Sequence, residues 1–352
     1  MTPKADLMRN PKRLLAPAAA ILGLVLAGCG GSSDSTDGDT AESAAASSGG
    51  AKLSLVGYAV PKVGFDKLIP AFQATQPGEG TTFAQSYGAS GDQSRKVEAG
   101  LETDIVNFSV EPDVTRLVKK GIVDEDWNSE ENKKGLAFGS VVTIVVREGN
   151  PKGIKDWDDL LKDGVEVVTP NPFSSGSAKW NLLAPYAAKS EGGKNGDAGL
   201  AFVDKLVKDH VKVQPKSGRE ATETFLQGTG DVLLSYENEA LFIEGEGEKV
   251  EHVTPPTTFK IENPIAVLNT SKHPEQAQAF LDFNLSPEGQ KLWAEAGFRP
   301  VDETVAAEFA DKFPAPEKLW TIDDLGGWGE VDPALFDPDN GSIAKIYNDA
   351  TG

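Results

Sequence analysis

One cysteine, three histidines, two methionines and five tyrosines in 352 residues leave little of what redox or metal chemistry needs. A lone cysteine makes no disulfide within the chain, so stability has to come from packing. His210, His252 and His273 stand apart in charged, surface-like contexts, and no His/Cys cluster suggests zinc. His210 ends a helical pattern and reads as a residue of a helix C-terminus. The tyrosines are scattered, which argues against the clustered phenolates of a ferric-ion receptor. No G-x-S-x-G elbow occurs, so Ser174 and Ser175, without a base beside them, read as ligands or caps and not as nucleophiles. The pair Glu237 and Glu239 alternates across a strand end and reads as capping the next helix, not as binding metal. Together these gaps predict no catalytic residue, no metal site and no cofactor.

Positive charge is scarce as well. Lys and Arg number 34 against 54 Asp and Glu, a formal charge of −20. A field of that sign argues against nucleic acid as a partner. Long apolar runs are also rare; the one that stands out is Leu14 to Ala27, behind Lys4, Arg9, Lys12 and Arg13. It is too short to span a bilayer as a lasting anchor and reads as a signal peptide over residues 1–28. It ends in Leu26-Ala27-Gly28-Cys29, a lipobox, which predicts acylation of Cys29 and a lipid tether to the outer face of the cytoplasmic membrane. Residues 29–50 are almost wholly Gly, Ser, Asp, Thr, Ala and Glu and predict a flexible tether. From Cys29 onward, 30 bases face 53 acids, a charge of −23.

Beyond Lys52, β-type segments alternate with amphipathic helical ones, as in Asp104 to Phe108 followed by the pattern through Val114, Leu117 and Val118. That alternation predicts an α/β fold with mainly parallel sheets flanked by helices. Phe138–Arg147 and Asn263–Asn269 stand out as long strands. Four strand-to-helix turns are rich in small residues. They are Gly57-Tyr-Ala-Val-Pro61, Ser86-Tyr-Gly-Ala-Ser-Gly-Asp-Gln93, Thr169-Pro-Asn-Pro-Phe-Ser-Ser-Gly-Ser177 and Ser217-Gly-Arg219. Helices are predicted from Asp92 to Leu101 and from Ala178. Backbone N–H groups at the start of a helix lack internal acceptors and sit at its positive end, which suits an anion. Four such turns predict one polar cleft lined by helix N-termini.

Several motifs occur in a fixed order from Lys52 to about Asp337. They are SYGASGDQ from Ser86, REGNPKGIKDWDDL from Arg147, TPNPFSSGSAKWN from Thr169, GDVLLSYENEA from Gly230, SPEGQKLWAEAGFRPVD from Ser286 and LWTIDDLGGW from Leu319. In that order the chain resembles the periplasmic sulfate-binding proteins, the receptors of sulfate/thiosulfate ABC importers. The resemblance implies a two-lobed periplasmic binding protein fold (type II) with a two-strand hinge made by the two long strands. Residues 51–140 and 263–352 would form lobe I, and 141–262 lobe II. It also implies a monomer that binds sulfate between the lobes and delivers it to the permease subunits of an ABC importer. Thiosulfate or another tetrahedral oxyanion, molybdate or tungstate, is the alternative ligand.

By the same resemblance the ligand takes the backbone N–H of Ala59, Ser90, Gly176, Ser177 and Gly218, the hydroxyl of Ser175 and the side chain of Tyr236. The Ser217-Gly218-Arg219 stretch is about one residue shorter than in the family, so the donor there is Gly218 or Arg219. The Arg219 side chain is expected on backbone carbonyls behind the site. Tyr236 stands where well-known members have Trp, Ser177 where they have Gly, and Ala59 where they have Asp. Each helix N-terminus contributes roughly half a positive charge, so three of them offset most of a dianion without a lysine. Salt screens the net negative field beyond ~8 Å. The site as read from backbone groups holds donors only. It therefore predicts rejection of hydrogen phosphate, whose proton needs an acceptor.

Overall fold

The computed structural model describes residues 50–130 and 132–351; the expected signal segment, Cys29 and nearly all of the tether lie outside the described residues. Strands in chain order are β1 (Lys52–Tyr58), β2 (Thr82–Gly88), β3 (Ile105–Asn107), β4 (Leu136–Arg147), β5 (Val167–Val168), β6 (Val211–Val213), β7 (Val232–Tyr236), β8 (Val250–Val253), β9 (Thr257–Val267) and β10 (Lys318–Trp320). They pair in the order β2-β1-β3-β9-β4-β7-β5-β6, with β10 beside β9 and β8 beside β4. Helices separate most consecutive strands, as the alternating pattern requires.

Parallel pairing holds within each half, β2-β1-β3 and β7-β5-β6. Every antiparallel pairing among the described residues involves β4 or β9, so the sheet is mixed. These two strands carry the chain across. Residues 136–141 of β4 pair with 260–264 of β9, then 142–147 pair with β7 and β8 in one half. Residues 265–267 of β9 pair with β3 in the other half. The two long strands read from the sequence are thus the two crossing strands of a two-lobed molecule.

Strand β9 starts six residues before the expected Asn263. Its first part, Thr257 to Glu262, buries Phe259 and Ile261 while turning Lys260 outward, the alternation of a one-sided strand, which a search for a continuous apolar run misses. Pro264 sits mid-strand opposite Leu136, where the register slips between Leu136 and Phe138. A residue without an N–H is tolerated at such an irregularity.

Each lobe has aromatic ballast. Phe65, Phe72, Phe280 and Trp293 pack together in the first, with ring centroids 5.0–6.3 Å apart. In the second, helix Gly176–Lys189 carries the fully buried Trp180. The last part of the chain crosses to that helix: Trp328 meets the Trp180 ring edge-on at 4.8 Å, Lys179 pairs with Asp332, and Tyr347 meets Phe173 at 6.0 Å. Residues 318–351 therefore lie on the second lobe, whereas helices Pro274–Leu285 and Pro287–Glu295 pack on the first.

His210 departs from its surface-like reading. It is 7 % exposed, and its Nδ1 lies 3.0 Å from the carbonyl oxygen of Val165. The chain ends that helix in a wider, π-type turn, Leu206–His210, which swings the imidazole inward.

Candidate functional site

Three of the small-residue turns open directly into helices: Ser90–Glu98, Gly176–Lys189 and Gly218–Leu226. The helix after the fourth, Lys62–Gln73, starts behind Pro61, whose missing N–H costs nothing at that place. The other helices begin a little earlier than the sequence pattern suggested, at Ser90 and not Asp92, at Gly176 and not Ala178. The small residues belong to the first turn itself. Among the described residues no acceptor is found for the backbone N–H of Ser90, Gly176, Ser177, Gly218 or Arg219. Orphan donors of the first turn are expected; that they meet in one place is not.

The turns touch one another. The N–H of Gly91 donates to the carbonyl of Ser174 at 3.0 Å, which brings the Ser90 and Ser175 turns together. A side chain built on Gly218 would lie 3.1 Å from Ser177 Oγ and 3.4 Å from Val60. One built on Gly176 would come within 2.8 Å of Ser109 Cβ. Glycine at 176 is thus required by close approach. Ser217 uses its hydroxyl to cap its own helix through Glu220 N–H, whereas Ser175 makes no cap although only 2 % exposed. A buried hydroxyl left off its helix has its hydrogen-bonding capacity to spare.

Tyr236 closes β7 beside these turns. Its hydroxyl lies 2.7 Å from Ser109 Oγ and also hydrogen-bonds Ser177. Burial pushes the phenol well up from its ordinary value, so it stays a protonated, donating group across the physiological range. Tyr58, at the end of β1, has a buried hydroxyl with no hydrogen-bond partner among the described residues, its pKa pushed up first by burial and then by Tyr236 and Glu239. Ala59 follows it directly, and Val60 carries the carbonyl that accepts from Arg219 Nη2 at 3.4 Å. Arg219 also pairs with Glu239 at 3.1 Å and lies over the Phe242 ring. The guanidinium thus reaches one backbone carbonyl, as expected of it, and a buried carboxylate besides.

Glu237 and Glu239 do not cap the helix as the sequence suggested. They are residues of helix Glu237–Gly245, whose N-cap position Tyr236 makes no side-chain cap. Both are buried, and each meets an arginine: Glu237 takes a two-pronged contact from Arg299 at 2.7 and 2.8 Å. A buried carboxylate needs such a partner more than a helix end needs a cap. Among the described residues no group of three His, Cys, Asp or Glu is placed to hold a metal ion.

Sequence reasoning missed Ser109. It is fully buried, its N–H donates to Ser90 Oγ at 3.0 Å, and its carbonyl accepts from Trp180 Nε1 at 2.7 Å and Asn263 Nδ2 at 3.1 Å. Ser90 Oγ in turn donates to the buried Asp113 at 2.6 Å. A signal existed. β3 ends at Asn107, and Ser109 precedes helix Glu111–Lys119, so this is a fifth turn of the same kind, hidden by the bulkier Phe108 and Val110 on either side.

The resulting site holds three helix N-termini, hydroxyls from Ser175, Ser177 and Tyr236, and no lysine among these groups. It can bind a compact anion by hydrogen bonds. A family model described as "Bacterial extracellular solute-binding protein" matches residues 53–299. The chain is 37% identical over 337 residues, 94% of each chain, to a sulfate-binding protein of Synechococcus elongatus. It is 36% identical to a thiosulfate-binding protein of Pseudomonas aeruginosa over 83% of this chain and 91% of that one. Among solved structures it is similar to the sulfate-binding protein SubI of Mycobacterium tuberculosis, at 63% identity and TM-score 0.80, covering 82% of this chain and all of that one.

Proposed function

The chain belongs to the bacterial extracellular solute-binding proteins, and from that premise we propose that it is a sulfate receptor serving an ABC importer. It is a non-enzymatic component of transport. The observation that carries the sulfate reading is the meeting of three helix N-termini, at Ser90, Gly176 and Gly218, around the phenol of Tyr236. Sulfate is fully ionised at neutral pH and accepts at every oxygen, which suits a site built of donors. The ligand set is the backbone N–H of Ala59, Ser90, Gly176, Ser177 and Gly218 or Arg219, with the hydroxyls of Ser175 and Tyr236. Hydrogen bonds to a charged partner contribute roughly 1.5–3 kcal/mol each. Several of them exceed an association cost of about 4–15 kcal/mol.

The strands that cross between the lobes, β4 and β9, serve as the hinge, with residues 141–262 as the second lobe and residues 318–351 packed on it. Closure of the lobes over the anion is the signal read by the permease subunits. The protein acts as a monomer outside the cytoplasm, held to the membrane by lipid on Cys29. Thiosulfate is the second reading, favoured by the similarity to a thiosulfate-binding protein and by Tyr236, whose phenol oxygen can accept as well as donate. Titration calorimetry on the anion-stripped protein tests both. Saturable one-to-one heat with sulfate, and none with phosphate at like concentration, is expected. No sulfate heat from folded, stripped protein rejects the sulfate reading, and heat with thiosulfate alone replaces it by the second.

A further inference from the structure

Ser109 touches three residues of the candidate site, Ser90, Gly176 and Tyr236. Its N–H reaches the side chain of Ser90, at the head of one donor helix. Its carbonyl accepts from Trp180, in the first turns of another, and from Asn263 of β9. Its Cβ and Oγ lie against Gly176, where any side chain would collide with them. The backbone of Ser109 is therefore pinned from both lobes and from a crossing strand, and its hydroxyl has a fixed place. That hydroxyl meets Tyr236 OH at 2.7 Å, its one hydrogen-bond partner among the described residues.

Two hydroxyls in contact can share their protons in either direction. If the phenol donated to Ser109, the serine proton would be left buried without an acceptor, which is costly. If Ser109 donates to the phenol oxygen, the phenol proton is left to Ser177 or to the cleft, and a dianion there is the strongest acceptor in reach. Only the second direction uses both protons. A phenol that accepts while it donates is also a stronger donor, since linked hydrogen bonds polarise one another.

We propose that Ser109 is a positioning and specificity-determining residue of this receptor: by donating to Tyr236 it fixes the phenol as a donor toward the oxyanion. The inference rests on the anion-site reading above and adds to it a residue that does not itself touch the ligand. It explains how a phenol, which could accept a ligand proton, still serves a site that prefers a fully ionised anion.

The test is a double-mutant cycle on the full chain, read by titration calorimetry with sulfate and with phosphate. Ser109→Ala is expected to weaken sulfate binding by about 3- to 10-fold, the worth of one neutral hydrogen bond. In the Tyr236→Phe background, where no phenol is left to orient, the same change is expected to alter affinity by less than about 2-fold. The preference for sulfate over phosphate should narrow in Ser109→Ala and not in the pair of variants that lack the phenol. Equal losses in both backgrounds would mean that Ser109 only supports the fold and would overturn the proposal. So would tighter sulfate binding in Ser109→Ala, which would show the phenol donating to the serine. If the unsubstituted protein binds thiosulfate and not sulfate, the ligand reading fails, and the same cycle run with thiosulfate still decides the role of Ser109.

Discussion

Arg219 and Glu239 face each other at 3.1 Å and tie the start of helix Gly218–Leu226 to the start of helix Glu237–Gly245. The carboxylate is 1 % exposed, and the guanidinium also reaches the Val60 carbonyl and the Phe242 ring. The pair therefore sets where the Gly218 and Arg219 N–H groups point without placing a charge among the donors. A carboxylate so deeply buried is tolerable only while the arginine is there.

Burial raises the pKa of Glu239 above its ordinary 4.5, with Arg219 pulling the other way and losing. A raised folded pKa means that the stability linked to this group is fully present below the ordinary value. It is lost as pH rises through the folded one. Glu239→Gln keeps the shape and removes the titration. Thermal melts from about pH 4 to about pH 8 should show the variant gaining on the unsubstituted protein as pH rises. A difference in melting temperature that stays flat, or moves the other way, would show that Glu239 does not titrate in this range in the fold.

At Gly176 the prediction is steric. A Cβ there would sit 2.8 Å from Ser109 Cβ and 3.0 Å from both Ser109 Oγ and Val110 Cγ2. Gly176→Ala should push Ser109 and the first turn of helix Gly176–Lys189 apart, at a cost of ~1–3 kcal/mol in stability. Sulfate affinity should fall further than that loss implies, because two donor N–H groups move with the turn. Gly245→Ala is the control, since a Cβ there meets nothing within 4 Å. Calorimetry showing unchanged sulfate binding in Gly176→Ala would remove Gly176 and Ser177 from the ligand set.

Much of this was legible before any coordinates. Alternating segments marked an α/β chain, and the two crossing strands stood out because a strand buried on both faces reads as a long apolar run. The half of β9 that alternates Phe259 and Ile261 with Lys260 and Glu262 did not stand out, for the converse reason. The turns that open into helices at Ser90, Gly176 and Gly218 were readable as small residues between a strand and a helix. Ser109 was not, because its importance comes from contacts with Ser90, Trp180, Tyr236 and Asn263, all distant in sequence. Glu237 and Glu239 were misread for the same reason: their partners Arg299 and Arg219 come from other elements, and only packing reveals them. Likewise nothing in the residues after Asp337 announces helix Ser342–Thr351, whose buried face is defined by the second lobe it covers.

That C-terminal segment reaches Ser109 at one remove. Trp328, 5 % exposed, meets Trp180 edge-on at 4.8 Å, and Trp180 Nε1 holds the Ser109 carbonyl at 2.7 Å. Removing the Trp328 ring deletes a wall against which Trp180 is fixed. Trp328→Ala should cost about 3–5 kcal/mol of stability, as other buried aromatic truncations do. It should also weaken sulfate binding, since Ser109 loses a tether. Phe283→Ala separates the two effects. Phe283 packs on Phe72 at 5.7 Å in the first lobe, with no contact to the Ser109 chain of hydrogen bonds, so it should lower the melting temperature and leave affinity unchanged. Equal affinity in the two variants, measured at a temperature where both remain folded, would show that the C-terminal segment braces the lobe without reaching the site. A selective loss in Trp328→Ala would make the Trp328–Trp180–Ser109 line part of the receptor's binding apparatus, and truncation of the chain before Trp328 should then abolish sulfate binding before it abolishes folding.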